Sequence, residues 1–252
     1  MPFTFSHPAI VLPLINKRIK IFSASALIIG SIAPDFESFI NVTDSKINSH
    51  TWPGMFWYDL PLAFTIWILF NLVVKDPLIS NLPRPLEERF HRYKNFDWFT
   101  FLKKNFLIVV LSLLVGIASH LLWDAFTHLN LRYPDAVTSR TKFMGKRVYI
   151  ILQYTCSLLG LVAIVWAVLK MPRTRVKKAS ATKFKYWLFI FLLAALVAAF
   201  WVTSIFKGYE AANDYYISYT ILAIYICISS FLAALTLVSL GYKILYRKQA
   251  AG

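Results

Sequence analysis

The chain is short of charge, and shortest of acid: its 252 residues carry 12 Asp and Glu against 27 Lys and Arg, and charged residues make up 15% of the total. So little charge beside 58% hydrophobic residues excludes both an ordinary soluble domain and a disordered chain. Cysteine is scarce as well. Cys156 and Cys227 both lie in apolar runs and are read as small buried hydrophobes, not as a disulfide or as metal ligands, so they carry no information on redox compartment. Internal repeats and low-complexity tracts are missing, which removes solenoid and linker architectures. Histidine is limited to five residues, with none after His128. Any chemistry that needs imidazole is therefore confined to the N-terminal half.

What is present is apolar and aromatic. A positive mean hydropathy of +0.57 and several long uncharged runs point to an integral membrane protein. The expected fold is all-α: a polytopic membrane protein with about five transmembrane helices, at 55–74, 105–127, 148–169, 186–206 and 217–242. Ile21 to Ala33 is apolar but short, follows Lys17, Arg18 and Lys20, and ends at Pro34-Asp35. It is read as a re-entrant or interfacial helix, with a sixth span as the alternative. Met1 to Leu14 does not read as a cleaved signal peptide, because the positive charges follow the first apolar residues instead of leading them. The organisation expected is one helical membrane domain over 1–252, with a metal-site half in 1–130 and additional spans in 148–242.

The basic residues orient these spans. Segment 75–104 carries Lys75, Arg84, Arg89, Arg92, Lys94, Lys103 and Lys104, and segment 170–185 carries seven more Lys and Arg, whereas 207–216 has only Lys207. The positive-inside rule makes the first two cytoplasmic. Segment 129–147, with Arg132, Arg140, Lys142, Lys146 and Arg147, then faces outward against the rule. The net charge of +15 is thus divided among loops that face solvent or lipid headgroups, and no nucleic-acid partner is expected. The partners expected are membrane lipid and a lipid-linked substrate; oligomeric state is left open.

Against this background His7, Asp35, His50, Asp59, His120, Asp124 and His128 stand out, since ionisable groups at membrane depth are costly and usually functional. The densest motif is His120-Leu-Leu-Trp-Asp124-Ala-Phe-Thr-His128. Spacings of four place the three polar residues on one helical stripe, each about 6 Å above the last. His120 and His128 are then about 12 Å apart, too far to share one ion, so Asp124 is expected to bridge two metals with one histidine on each. With 75–104 inside, His50 and Asp59 open the first span at the outer face, and His120, Asp124 and His128 close the second span at the same face. Asp35 follows Pro34 and reads as a ligand, a general base or a helix-boundary cap, and Asp59 as a general base or an acceptor orienting a histidine. Gln153 and Ser157 either complete a polar pocket or bond between helices. His91 sits in the cytoplasmic segment and reads as solvated. Ser6, Ser49, Ser119 and Thr127 directly precede the other four histidines, a pattern chance explains nearly as well as function.

The opening MPFTFSHPAIVLPL, the stretches SASALIIGSIAPDFESFI and SHTWPGMFWYDLP, and the helix SHLLWDAFTH together resemble an uncharacterised domain-of-unknown-function family of bacterial integral membrane proteins. The order His, Asp, His, then His-x-x-x-Asp with a further His also resembles YdjM-type inner-membrane metal-dependent hydrolases and, more distantly, zinc-dependent phospholipase C. Those resemblances imply His7, Asp35, His50, His120, Asp124 and His128 as metal ligands. They imply one or two divalent ions, zinc first, with manganese or iron also suited to imidazole and carboxylate. The chain departs from the phospholipases in having no second His-x-x-x-acid pair downstream, so a three-metal cluster is not expected. The function expected is a metal-dependent hydrolase acting on a phosphoester or ester of a lipid or envelope precursor, at the outer face of a bacterial cytoplasmic membrane. The alternatives are an ion- or proton-coupled transporter using the same His and Asp residues, and a non-enzymatic scaffold with a structural metal.

Overall fold

A computed structural model describes residues 3–15, 21–42, 48–127, 141–143, 145–176, 183–209 and 219–249. Short elements come first: a 3-10 turn Thr4–Ser6, α1 (Pro8–Val11), a 3-10 turn Leu12–Leu14, α2 (Ala24–Gly30), a 3-10 turn Ala33–Asp35 and α3 (Phe36–Asn41). A continuous helical stretch follows as a π turn Met55–Asp59, α4 (Leu60–Leu69), a second π turn Phe70–Val74 and α5 (Lys75–Asn81). Then come α6 (Arg84–Phe90), α7 (Trp98–Lys104), α8 (Phe106–Thr127), a two-stranded hairpin of β1 (Lys142–Phe143) and β2 (Lys146–Arg147), α9 (Val148–Leu169), α10 (Lys183–Tyr209) and α11 (Tyr219–Gln249).

Among the described residues five stretches are long and apolar enough to cross a membrane: Met55–Asn81, Phe106–Thr127, Val148–Leu169, Lys183–Ile205 and Tyr219–Leu245. In hydrocarbon every backbone amide must be satisfied within its own segment, which leaves helix as the available form. Four of the five spans fall within a few residues of their expected ends. The first continues to Asn81 instead of ending at 74, because Lys75 is accommodated where it stands. Its ammonium donates to the Phe96 carbonyl at 3.3 Å, lies 3.7 Å from Asp76 Oδ1 and sits over the Phe96 ring. The basic segment after it is helical in α6 and α7.

The chain groups into two compact units that interleave in sequence. The first comprises 1–36, 47–67 and 99–171. Here α2, seven residues long, is about 10 Å from end to end, a third of a bilayer core, so it enters against α8 and does not span. The approach is close enough to need glycine on both helices. A Cβ on Gly30 would lie 2.4 Å from the Leu113 carbonyl oxygen, and one on Gly116 would lie 2.5 Å from Leu27 O and 2.7 Å from Ser31 N. Helices in lipid have no hydrophobic drive to associate, so contact of this kind together with polar bonds holds them. Two such bonds are Ser23 N–H to Ser112 Oγ at 2.9 Å and Trp67 Nε1–H to Ser25 Oγ at 2.9 Å. The N-terminal turn is fastened to α9 in the same way: Phe3 N–H donates to Ser157 Oγ at 3.0 Å, and Ser6 O would lie 2.9 Å from a Cβ on Gly160.

The second unit comprises 37–46, 68–98 and 172–252. Its centre is the antiparallel pair α10–α11, where Tyr186, Ile190 and Ala234 are buried and Trp187, Phe231, Leu235 and Tyr242 pack around them. A side-chain hydrogen bond crosses that seam, Tyr186 Oη with Ser239 Oγ at 2.7 Å. Lys183 pairs with Glu87 and also donates to the Leu82 carbonyl at 2.9 Å, tying the start of α10 to α6.

Candidate metal centre

Three separate elements of the first unit deliver four side chains to a single point. Asp35 ends the 3-10 turn that Pro34 helps to force, His50 precedes the first span, and His120 and Asp124 occupy successive turns of α8. Asp35 Oδ1, His50 Nε2, His120 Nε2 and one Asp124 carboxylate oxygen lie within 4.8 Å of one another and form a group that could hold a metal ion. His50 Nε2 is 3.3 Å from both Asp35 Oδ1 and Asp124 Oδ2 and 3.2 Å from His120 Nε2. His120 Nε2 is 3.4 Å from Asp124 Oδ2 and 3.8 Å from Asp35 Oδ1. A tetrahedral ion with ligand bonds of about 2.0–2.2 Å requires edges of about 3.3–3.6 Å, and these five edges cluster around that range.

The protons of the imidazoles decide what such a cluster wants. His120 Nδ1 faces the Ser31 carbonyl at 2.8 Å. A carbonyl only accepts, so Nδ1 carries a hydrogen, and in the neutral, metal-ligating form of the ring Nε2 presents its lone pair to the group. His50 Nδ1 pairs with Ser49 Oγ at 3.1 Å, which leaves its Nε2 facing two carboxylate oxygens and a second nitrogen lone pair. One N–H on His50 cannot serve three acceptors, whereas a divalent cation between the four atoms serves all of them and offsets both carboxylate charges. The donor set, two imidazoles and two carboxylates without thiolate, suits zinc, manganese or iron.

Burial is uneven and gives the group an open side. The His120 side chain is 0% exposed and that of Asp35 2%, but Asp124 shows 11% and His50 17%. His50 also adopts φ of +58°, the left-handed region, where a non-glycine residue costs about 1–2 kcal/mol.

The sequence-predicted residues divide clearly. Asp35, His50, His120 and Asp124 converge. His7 comes to their edge: its Nε2 lies 3.1 Å from Asp124 Oδ1, and its ring stacks on that of His120 with centroids 3.9 Å apart. Asp59 is fully buried in the π turn at the start of the first span but gives no atom to the four-atom group. His128 lies outside the described residues, and with it the expected bridge from His120 through Asp124 to His128. Ser157 Oγ donates to Gln153 O at 2.7 Å and accepts from Phe3 N–H at 3.0 Å, an inter-element bond. His91 belongs to the second unit.

Sequence reasoning missed Thr4 and Ser31. Thr4 Oγ1 donates to Asp35 Oδ2 at 2.6 Å while the Thr4 carbonyl accepts from His7 Nδ1 at 3.1 Å. Ser31 acts through its carbonyl, which leaves no trace in side-chain identity. Of the hydroxyl residues that precede the histidines, Ser49 bonds its own neighbour, His50. Ser6, Ser119 and Thr127 instead bond to backbone carbonyls of Phe3, Gly116 and Trp123.

The fold and this group define a polytopic α-helical membrane protein with a His/Asp group able to hold a metal ion. A profile of the family described as a domain of unknown function, DUF4184, matches residues 1–240, and the chain belongs to that family. No curated protein and no solved structure matches the chain.

Proposed function

We propose that the protein is a membrane-embedded, metal-dependent hydrolase acting on a phosphoester or ester of a lipid or envelope precursor. The observation that carries this reading is the convergence of one donor atom each from Asp35, His50, His120 and Asp124 within 4.8 Å of one another, with an open side at His50 and Asp124 from which a fifth position would take water. A divalent ion held there lowers the pKa of bound water towards neutrality and polarises a phosphoryl or acyl oxygen. Asp35, His50, His120 and Asp124 hold the ion. Ser31 and Thr4 fix the orientation of His120 and Asp35, and Asp59 remains the candidate base or orienting carboxylate. In the reaction, water adds to phosphorus or the acyl carbon, the ester bond to the alcohol oxygen breaks, and the alcohol leaves with the proton that the base took from water.

Position supports a lipidic substrate. The group lies where the first span begins and α8 ends, and Trp52, Phe56 and Trp57 beside it are more than half exposed, as aromatic residues at headgroup level are. A groove of about 230 Å³ between α8 and α9, lined by Trp123, Phe126, Thr127, Leu152 and Cys156, flanks the turn that carries Asp124 and suits a hydrocarbon chain. The basic segments 75–104 and 170–185 support an extracytoplasmic face for this end by the positive-inside rule.

The test is metal content by elemental mass spectrometry on detergent-purified wild type and Asp124→Ala, followed by ester hydrolysis assays. At least one zinc, manganese or iron per wild-type chain, absent from the variant, together with metal-dependent release of alcohol from phospholipid in mixed micelles, is the expected result. Bound metal with no hydrolysis, but with gradient-driven ion flux in proteoliposomes, would replace the hydrolase with a transporter.

A further inference from the structure

Residues 81–94 and 172–187 of the second unit are about 90 positions apart in sequence, yet three bonds to backbone carbonyls lay them side by side. Thr174 N–H donates to the Glu88 carbonyl at 2.7 Å, Arg92 Nη2 to the Pro172 carbonyl at 3.2 Å, and Trp187 Nε1–H to the Asn81 carbonyl at 2.8 Å. The guanidinium of Arg92 is thereby held against the residue before Arg173. Both carboxylates of α6 are already engaged, Glu87 with Lys183 and Glu88 with Arg84 at 3.1 Å. Arg92, Arg173, Arg175 and Lys185 are exposed, and among the described residues no carboxylate pairs with any of them.

Like charges gathered by neutral backbone bonds repel one another, and an anion relieves that cost. Where the group stands selects the anion. The first span ends at Asn81 and the fourth begins at Lys183, so the group lies at span ends, where headgroups are. Tyr93, Phe96 and Phe184, placed among these basic residues in the chain, are 44, 45 and 76% exposed. Exposed rings interleaved with cations suit the boundary between hydrocarbon and headgroup and have no use for bulk water. Guanidinium groups, with their planar fork of N–H donors, match phosphate oxygens in pairs.

We propose that α6, Arg92 and residues 172–175 form a binding site for the phosphate of an anionic phospholipid. The site uses none of the residues assigned to the metal or to the reaction, so it stands or falls independently of the hydrolase reading. Arg92, Arg173 and Arg175 supply the phosphate contacts, and the Thr174–Glu88 bond fixes the segment that carries two of them.

The experiment titrates full-length protein in detergent with phosphatidylglycerol and with phosphatidylcholine of the same chains, and counts lipid retained per protein by native mass spectrometry. The test variant is Arg92→Gln/Arg173→Gln/Arg175→Gln. A control with the same change of charge is Lys142→Gln/Lys146→Gln/Arg147→Gln, on the exposed hairpin. Each basic residue near an anionic lipid surface is worth about fivefold in binding, so the test variant is expected to hold phosphatidylglycerol about a hundredfold more weakly. Wild type and the hairpin variant should both keep the preference for phosphatidylglycerol over phosphatidylcholine. Equal loss in the two variants would reduce the effect to net charge, and equal retention in all three proteins would leave the arginines without a part; either overturns the site. Displacement of the lipid by millimolar inorganic phosphate also overturns it, since the site would then serve a free anion. Among the described residues the side chains of Arg173 and Arg175 make no bond. Should the triple variant fail to fold, Arg173→Gln/Arg175→Gln therefore decides against Lys142→Gln/Lys146→Gln: about 25-fold weaker binding in the first alone supports the site, and equal binding in the two rules it out.

Discussion

The two units of the chain are built from the same kind of apolar helix and are held by opposite means. Around α8, a third of the most apolar window of Phe106–Thr127 is buried, and short segments bring His7, Asp35 and His50 against it. In the α10–α11 pair 6% of the corresponding window of Lys183–Ile205 and 22% of that of Tyr219–Leu245 are buried, and side chains such as Phe184, Leu196 and Phe200 are mostly exposed on surfaces suited to lipid, as much of α9 in the first unit also is. Close backbone contact and polar convergence characterise the first; a largely apolar seam, crossed by the Tyr186–Ser239 hydrogen bond, characterises the α10–α11 pair of the second. In lipid the apolar surface is already in its preferred medium, so an element packs tightly only where small residues or polar partners make it do so. The first unit carries such a demand because it has a site to assemble.

Glycine substitution puts the largest strain on this contrast. In Gly116→Leu the new side chain meets backbone atoms of Leu27 and Ser31 at 2.5 and 2.7 Å, which cannot give way as a side-chain tip could. Moving α2 displaces the Ser31 carbonyl that orients His120. The expected outcome is a loss of about 3 kcal/mol in stability, with metal content falling below that of wild type. Gly241→Leu in α11 has open space around its Cβ and should leave both the melting temperature and the metal content unchanged. Equal damage from the two substitutions, measured by thermal unfolding in detergent and elemental analysis, would erase the distinction between the units.

A smaller effect, and one of mixed sign, is expected at His50. Asn occupies the left-handed region more readily than His does, so His50→Asn relieves backbone strain at φ +58° while removing a ligand. The metal-free variant should unfold at the wild-type temperature or slightly above it, and the stabilisation that added metal gives the wild type should disappear. A variant less stable than wild type in the absence of metal would mean that His50 serves packing before it serves the ion.

These effects also mark what was legible in the sequence. Spans were readable because about 20 consecutive apolar residues have one structural outcome in a bilayer, and the His120/Asp124 pair because four-residue spacing on a helix fixes a shared face. The extension through Lys75 was not readable, since it depends on Phe96 and Asp76 supplying partners for a buried ammonium. Nor was the choice of His7 as the neighbour of Asp124. A residue 117 positions away is brought there by a 3-10 turn whose placement rests on Thr4, Ser157 and Gly160, and none of these has a local sequence signature.

The smallest expected effect tests the apolar side of the comparison. Tyr186 is buried at the start of α10, and its hydroxyl meets Ser239 across the seam, with Tyr242 edge-on to its ring. Tyr186→Phe removes the hydroxyl and keeps the ring. Hydrogen bonds between membrane helices average about 0.6 kcal/mol, because the separated helices also find partners. The variant should therefore lose about that much stability, and Ser239→Ala about the same. The double variant should lose little more than either single one, since both remove the same bond. Metal content should not change in any of the three, because none of their atoms belongs to the unit that holds the His/Asp group. A loss of several kcal/mol would show that the pair depends on this hydroxyl contact as α2 and α8 depend on theirs, and the division between a polar, glycine-packed unit and a more apolar one would fail at its least expected point.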